Sequence, residues 1–188
     1  MAELPTDFYD RIKPGLRSRI GRELRFARRI LDLGCGSCEL VQYLANSAER
    51  EVTGVDISSS RFPEARRTDR GIHFGCLQKD AAKLEAVPDG SVDAVVMLWA
   101  LHEMKRPSRV LAEGLRVLRP GGKMLVADFP KDSLAQTLWN EAYLDPEQMR
   151  ELLAGAGFAR VQVRRIARGQ VLWATGIRPG DSTTRELT

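Results

Sequence analysis

The chain has 188 residues, of which 43% are hydrophobic and 29% charged, with a formal net charge of +4. These values exclude a disordered or fibrous chain, and the length fits one domain that is stable without disulfides or a structural metal. The longest unbroken apolar stretch, Ala94 to Leu101, is too short to span a bilayer, and Met1 to Tyr9 carries acids rather than a basic flank and apolar run, so a cytoplasmic protein is expected.

From the N-terminus, Leu16, Ile20, Leu24 and Ala27 recur at helical spacing after a Pro14-Gly15 break, with Arg17, Arg19, Arg22 and Arg25 between them. A basic amphipathic helix is therefore predicted within residues 1–28, a segment read as a lid on the substrate side. Its charge reads first as a solvated face and second as an RNA-binding surface, which the sequence pI of about 9.2 also favours.

The core follows as a strand run from Arg29 into the Gly34 turn, a helix carrying Leu40, Val41 and Leu44, and a strand from Glu51 to Asp56. Next come a short helix before Thr68, strands Ile72 to Leu77 and Val92 to Leu98, a helix from Pro107 to Leu118, and a strand from Lys123 to Phe129. Arg119-Pro-Gly-Gly122 is read as the stop and turn between those last two. Asp145-Pro-Glu-Gln148 has the pattern of an N-cap, an N1 proline and a capping box. After Gly155-Ala-Gly157, two strands joined at Arg168-Gly169 predict an antiparallel hairpin at a sheet edge, and the tail over 178–188 is polar and expected to be flexible. Strands alternating with helices build a mostly parallel α/β sheet.

In such a sheet ligands sit beyond the carboxyl ends of the strands, and three of those ends carry aspartates. In Asp32-Leu-Gly-Cys-Gly36 two glycines allow a close backbone approach. Glu39 stands where a dinucleotide site needs its third glycine, and Asp32 adds a negative charge, so the loop suits an ammonium better than a pyrophosphate. Asp56 closes its strand at a spacing suited to ribose hydroxyls. Asp80-Ala81 offers a carboxylate and a backbone N–H to an adenine edge.

Three cysteines, Cys35, Cys38 and Cys76, are an odd number, and reduced thiols are the simpler reading; neither a second Cys pair nor a His cluster completes a metal or redox motif around Cys35-x-x-Cys38, so no metal is expected.

The motifs Leu31-Asp-Leu-Gly-Cys-Gly36, Val52-Thr-Gly-Val-Asp56, Asp80-Ala81, Pro88-Asp-Gly-Ser-Val-Asp93 and Val117-Leu-Arg-Pro-Gly-Gly122 occur in an order that resembles the class I S-adenosylmethionine-dependent methyltransferases, especially the compact branch containing ubiquinone and menaquinone biosynthesis enzymes. The resemblance covers roughly residues 29–177. It implies S-adenosyl-L-methionine as cofactor and a Rossmann-like seven-stranded, mostly parallel sheet with an antiparallel last strand and helices on both faces. It also implies that Gly34, Cys35 and Gly36 line the methionine part, that Asp56 holds the ribose, and that Asp80 and Ala81 read the adenine. Ile57 would pack on the adenine face and Leu98 would lie beside the amine.

For the acceptor, His102 after the fourth strand is the candidate general base, against a reading in which it only packs or caps. Asp128 and Tyr143 are candidate substrate contacts, and Trp139 reads first as part of a buried helix stripe with Leu134 and Leu138. A small-molecule acceptor is the first expectation and RNA the second, with a non-catalytic cofactor-binding module third. Oligomeric state leaves no signal in the sequence.

Overall fold

The computed structural model describes residues 4–47, 49–64 and 66–180. Helix α1 spans Phe8–Glu23, β1 Arg29–Leu33, α2 Glu39–Ser47, β2 Glu51–Asp56, β3 Gly75–Gln78 and β4 Val92–Leu98. A single 3-10 turn over Leu101–Glu103 leads to α3, Pro107–Val117, then β5, Leu118–Asp128, and α4, Leu134–Trp139. Helix α5, Pro146–Gly155, and the strands β6, Ala159–Ile166, and β7, Val171–Ile177, complete the described elements.

The seven strands form one sheet in the order β3-β2-β1-β4-β5-β7-β6, in which β7 alone runs antiparallel to its neighbours. Because strand side chains alternate between faces, the sheet separates two cores. Leu31, Leu33, Val95, Met97 and Val126 face α3 and α5, while Ile30, Val52, Val96, Leu125 and Trp173 face α1 and α2. Each of these side chains is almost wholly buried, which contributes about 1.5–3 kcal/mol for each large one. A third cluster of Phe8, Tyr9, Phe129, Ala135 and Tyr143 closes one side of the sheet's carboxyl end.

The expected break at Pro14-Gly15 is absent: α1 begins at Phe8 and runs through both residues. Proline inside a helix costs about 3 kcal/mol, but Phe8, Ile12, Leu16 and Ile20 form one continuous apolar stripe, and burial of Leu16 and Ile20 offsets that cost. Helix α1 is thus built into the core rather than laid over it. Its C-terminal carbonyls at Gly21 and Leu24 accept hydrogen bonds from the Arg50 guanidinium, and Glu23 pairs with Lys123 at 2.7 Å.

The short helix expected before Thr68 does not form among the described residues between β2 and Thr68. The Ser58 hydroxyl instead accepts from Ser60 N, Phe62 N bonds the Ser59 carbonyl, and Pro63 follows, which is the local competition that keeps serines out of helices. The strand predicted from Ile72 begins only at Gly75, preceded by an isolated antiparallel bridge between Arg67 and His73. Arg119-Pro-Gly-Gly122 does not end an element either. These residues loop out of register between the Val92↔Leu118 and Ala94↔Lys123 pairs while Gly121 N and Arg178 N extend the ladder on the other side. The Asp145 capping box forms as expected: its carboxylate accepts from Glu147 N and Gln148 N, and Gln148 Oε1 accepts from Asp145 N. The part of the expected flexible tail beyond Gly180 lies outside the described residues. Among the described residues no helix is long and apolar enough to cross a membrane.

Candidate functional site

The carboxyl ends of β1, β2 and β4 open into a cavity of about 410 Å³. Asp32, Gly34, Cys35, Gly36, Asp56, Ile57, Asp80, Ala81 and Leu98 all line it. His102, Asp128 and Tyr143 do not; they stand together behind its aromatic side.

The glycine turn is shaped by β2. Gly34 N and Cys35 N both donate to the Val55 carbonyl, at 2.8 and 3.1 Å, and Gly36 N donates to Asp56 Oδ2 at 2.9 Å. Gly34 has φ +76°, and a Cβ there would lie 2.5 Å from the Ala100 Cβ. Gly34→Ala is therefore expected to destabilise the fold by about 2–4 kcal/mol, the sum of a left-handed alanine and an overpacked contact. An unshifted midpoint in chemical denaturation would show that the turn yields freely.

Asp32 is the buried carboxyl of the site. Its carboxyl lies in the cavity wall, 2% exposed, with no hydrogen bond to it among the described residues. Burial, with the charges of Cys38 and Asp56, pushes its pKa up to about 8. The native state therefore holds a proton that the unfolded state loses near pH 4, so folding stability falls as pH rises from about 4 to about 8. Asp32→Asn is expected to remove that slope and to raise stability at pH 8 by a few kcal/mol. Denaturation midpoints at pH 5 and pH 8 test this, and parallel losses in both proteins would contradict it.

Asp56 accepts Gly36 N on one oxygen and Ser58 N on the other, at 2.9 and 3.0 Å, so its carboxylate is fixed in place while lone pairs remain for a ligand. Asp80 is held low by the Ala82 backbone N–H and by Arg106, whose guanidinium donates to it at 2.8 Å. Ile57 is 73% exposed and lines the cavity, where it presents an apolar face.

The sequence reading missed the opposite wall. Lys13 and Arg17 of α1 line the cavity and both pair with Glu39, Lys13 at 3.0 Å. Arg61 reaches over Gly36, with a guanidinium nitrogen 3.2 Å from where a Cβ would stand. The i, i+4 spacing of Lys13 and Arg17 marks a shared helix face, but nothing local in the sequence says that this face turns to the strand ends.

At the aromatic side, Trp99 takes a left-handed backbone conformation, φ +55°, anchored by its N–H on the Ala127 carbonyl. This conformation is costly for a bulky residue and sets the indole into the cavity wall. The ring stacks on Phe129 at 5.2 Å, Tyr9 meets it edge-on, and Lys13 Nζ lies 5.9 Å from it. Trp139 is not buried in a helix stripe: it is half-exposed and leans on Tyr9 and Phe129. Ala135 N bonds the Tyr9 hydroxyl and Leu134 N bonds Gln170 Oε1, so the start of α4 is capped by α1 and by the β6-β7 hairpin.

Behind that wall, His102 Nδ1 lies 2.6 Å from Asp128 Oδ1, and Asp128 Oδ2 accepts the His102 backbone N–H at 3.0 Å. Phe129 N also donates to Asp128. Asp128, read from sequence as a substrate contact, is 2% exposed and has its oxygens turned to this network. His102 Nε2 faces Glu141 at 3.4 Å and Glu103 at 3.9 Å, and Glu103 lines the cavity. Burial works to lower the His102 pKa, but the Asp128 hydrogen bond and charge, with Glu103 and Glu141, outweigh it and hold the imidazole above its ordinary value. Tyr143 packs on His102 at 5.1 Å, and its buried hydroxyl, like Trp99 Nε1, has no partner among the described residues. Among those residues no group of three or more His, Cys, Asp or Glu is arranged to hold a metal ion.

Residues 31–126 match the family model described as a methyltransferase domain. The chain is 28% identical to the ubiquinone/menaquinone biosynthesis C-methyltransferase of Azotobacter vinelandii, across 83% of its own length and 76% of that protein's. It is 37% identical to the demethylmenaquinone methyltransferase of Thermus thermophilus, across 55% of its own length and 48% of that protein's. Among solved structures, an S-adenosylmethionine-dependent methyltransferase from Aquifex aeolicus shares the fold with a TM-score of 0.74 and 19% identity, covering 94% of this chain and 100% of that one.

Proposed function

The chain belongs to the methyltransferase-domain family and uses S-adenosylmethionine as its methyl donor, and on that premise we propose that the acceptor is a small planar molecule with a protonated nucleophile, for which His102 is the general base. The observation that carries this reading is the junction of one cavity lined by Asp32, Asp56 and Asp80 with a wall made by Trp99 and backed by the His102-Asp128 pair.

The residues fit that donor. A buried carboxyl without a partner, Asp32, matches an ammonium group; Asp56 has free lone pairs for a diol; Asp80 and Ala81 meet an adenine edge, and exposed Ile57 offers it an apolar face. Arg17 and Lys13 stand where they can take a carboxylate in exchange for Glu39. When bound, S-adenosylmethionine supplies an electrophilic methyl group on a sulfonium.

The protein's own part is to bind, orient and manage one proton. Trp99, stacked on Phe129, gives a flat acceptor a surface. Asp128 accepts the His102 Nδ1 proton and leaves Nε2 as the acceptor atom. Nε2 takes the nucleophile's proton by way of Glu103, which lines the cavity 3.9 Å from it, and the resulting cation is steadied by Asp128 on one side and Glu141 on the other. Because an ammonium near Asp32 favours its ionised form, cofactor binding near pH 7 is expected to release protons. Calorimetry of S-adenosylhomocysteine in two buffers of different ionisation enthalpy reads this directly; identical heats would remove Asp32 from the ammonium site.

An RNA acceptor has less support, since the basic residues of α1 that face the cavity are engaged with Glu39 and Arg11 is paired with Asp7. Formation of S-adenosylhomocysteine is the deciding assay, run with a panel of hydroxylated aromatic compounds and with total RNA. Turnover with members of the panel and none with RNA is the expected result; turnover with RNA alone overturns the proposal.

A further inference from the structure

The three cysteines, whose thiols have no chemical role in the methyl-transfer reading, meet in space. Cys35 and Cys38 sit in the turn after β1 and Cys76 in β3; the Cys35 and Cys38 sulfurs are 3.6 Å apart, and those of Cys38 and Cys76 are 2.8 Å apart. The Cys38-Cys76 contact joins segments 38 positions apart, so it is a product of the fold rather than of local spacing. Access is graded along the row. Cys35 is half-buried and lines the cavity, whereas Cys38 is fully buried and Cys76 nearly so. Gly54 makes the arrangement possible, because a Cβ there would lie 2.6 Å from the Cys35 sulfur.

We propose that this row is a thiol-disulfide exchange site, in which Cys35 receives a low-molecular-weight disulfide from the cavity and Cys38 passes the oxidation inward to Cys76. Hydrogen bonds from its two thiol neighbours lower the Cys38 pKa to about 7 against its burial, while the hydrogen bond to Cys38 and burial raise that of Cys35. Cys38 is therefore the member of the row most readily held as a thiolate, and with its sulfur 3.6 Å from that of Cys35 that thiolate is placed to take the Cys35 proton as Cys35 attacks.

In the first step the Cys35 sulfur attacks the reagent disulfide and its proton passes to Cys38; a protein-reagent disulfide forms and one reagent thiolate leaves. Cys38 then attacks the Cys35 sulfur, and its proton leaves with the second reagent thiol. Cys76 attacks Cys38 in turn, and its proton returns to Cys35. Two protein thiols are oxidised, one reagent disulfide is reduced to two thiols, and the final bond joins Cys38 to Cys76, tying the glycine turn to β3.

The test uses the full-length protein with 2-hydroxyethyl disulfide, acid quenching, alkylation and peptide mass mapping. The expected result is a Cys38-Cys76 cross-link with Cys35 alkylated. Cys35→Ser, with its fold checked by circular dichroism, is expected to lose thiols at least tenfold more slowly, and Cys76→Ser to stop at a Cys35-Cys38 bond. A stable reagent adduct on Cys35 with the other two thiols free overturns the proposal, as does an unreactive wild type or an undiminished rate in Cys35→Ser. Because the readout is the state of the sulfurs, it stands or falls separately from methyl transfer.

Discussion

Asp56→Ala is expected to weaken S-adenosylhomocysteine binding about 100-fold or more. Two losses combine. Charged hydrogen bonds to a ribose diol contribute about 1.5–3 kcal/mol each, and 2.7 kcal/mol already corresponds to roughly a hundredfold change in Kd. The carboxylate also fixes the turn, since it accepts Gly36 N and Ser58 N, so its removal loosens the backbone that the ligand meets. Asp56→Asn separates the two effects. One amide oxygen can still accept a turn N–H, but the charge is gone, and an intermediate affinity is expected. Calorimetric titration of the three proteins is the measurement, and equal affinity throughout would put the ribose elsewhere.

Asp128→Asn is expected to lower kcat by roughly 10²- to 10³-fold, within the usual range for disabling a general base, with little change in KM because Asp128 does not line the cavity. The pH profile carries the sharper signal. In the wild type the raised pKa of His102 means that activity climbs as pH rises through a value above the ordinary histidine range. Without the Asp128 charge that limb moves to lower pH. Stability changes with the opposite sense. The pairing stabilises the fold fully below about pH 6.5 and is lost as pH rises through the folded-state value, so the variant loses most stability in mild acid. A variant with lowered kcat but an unmoved profile would reduce Asp128 to a packing role.

The proposed cofactor side of the cavity was largely legible in the sequence, because each of its residues stands where a strand ends and a parallel sheet brings those ends together. The aspartates and glycines between Asp32 and Asp80 needed only that rule. The acceptor side was less so. Asp128 is 26 positions from His102, and only the adjacency of β4 and β5 makes them partners. The cations of α1 were read as a solvated face because helical periodicity separates polar from apolar sides but does not say what the polar side meets. Elements were missed for similar reasons. Pro14 and Gly122 are breakers by local rule, yet burial carries α1 through the first and a second ladder on Arg178 carries β5 through the other. The short helix expected before Thr68 does not form because the hydrogen bonds between Ser58 and Ser60 compete with it.

The hydrogen bonds of Gln170 to Tyr9 and to Leu134 N have a temporal meaning. Tyr9 and Gln170 are 161 positions apart, so the loop they close spans nearly the whole chain and is among the last contacts available to it. All the proposed cofactor residues, from Asp32 to Leu98, leave the ribosome well before Gln170 does. A chain still attached there can assemble β1 to β4, but it has no cap for α4 and no completed aromatic wall. The cap on α4 therefore forms only once the β6-β7 hairpin has been made.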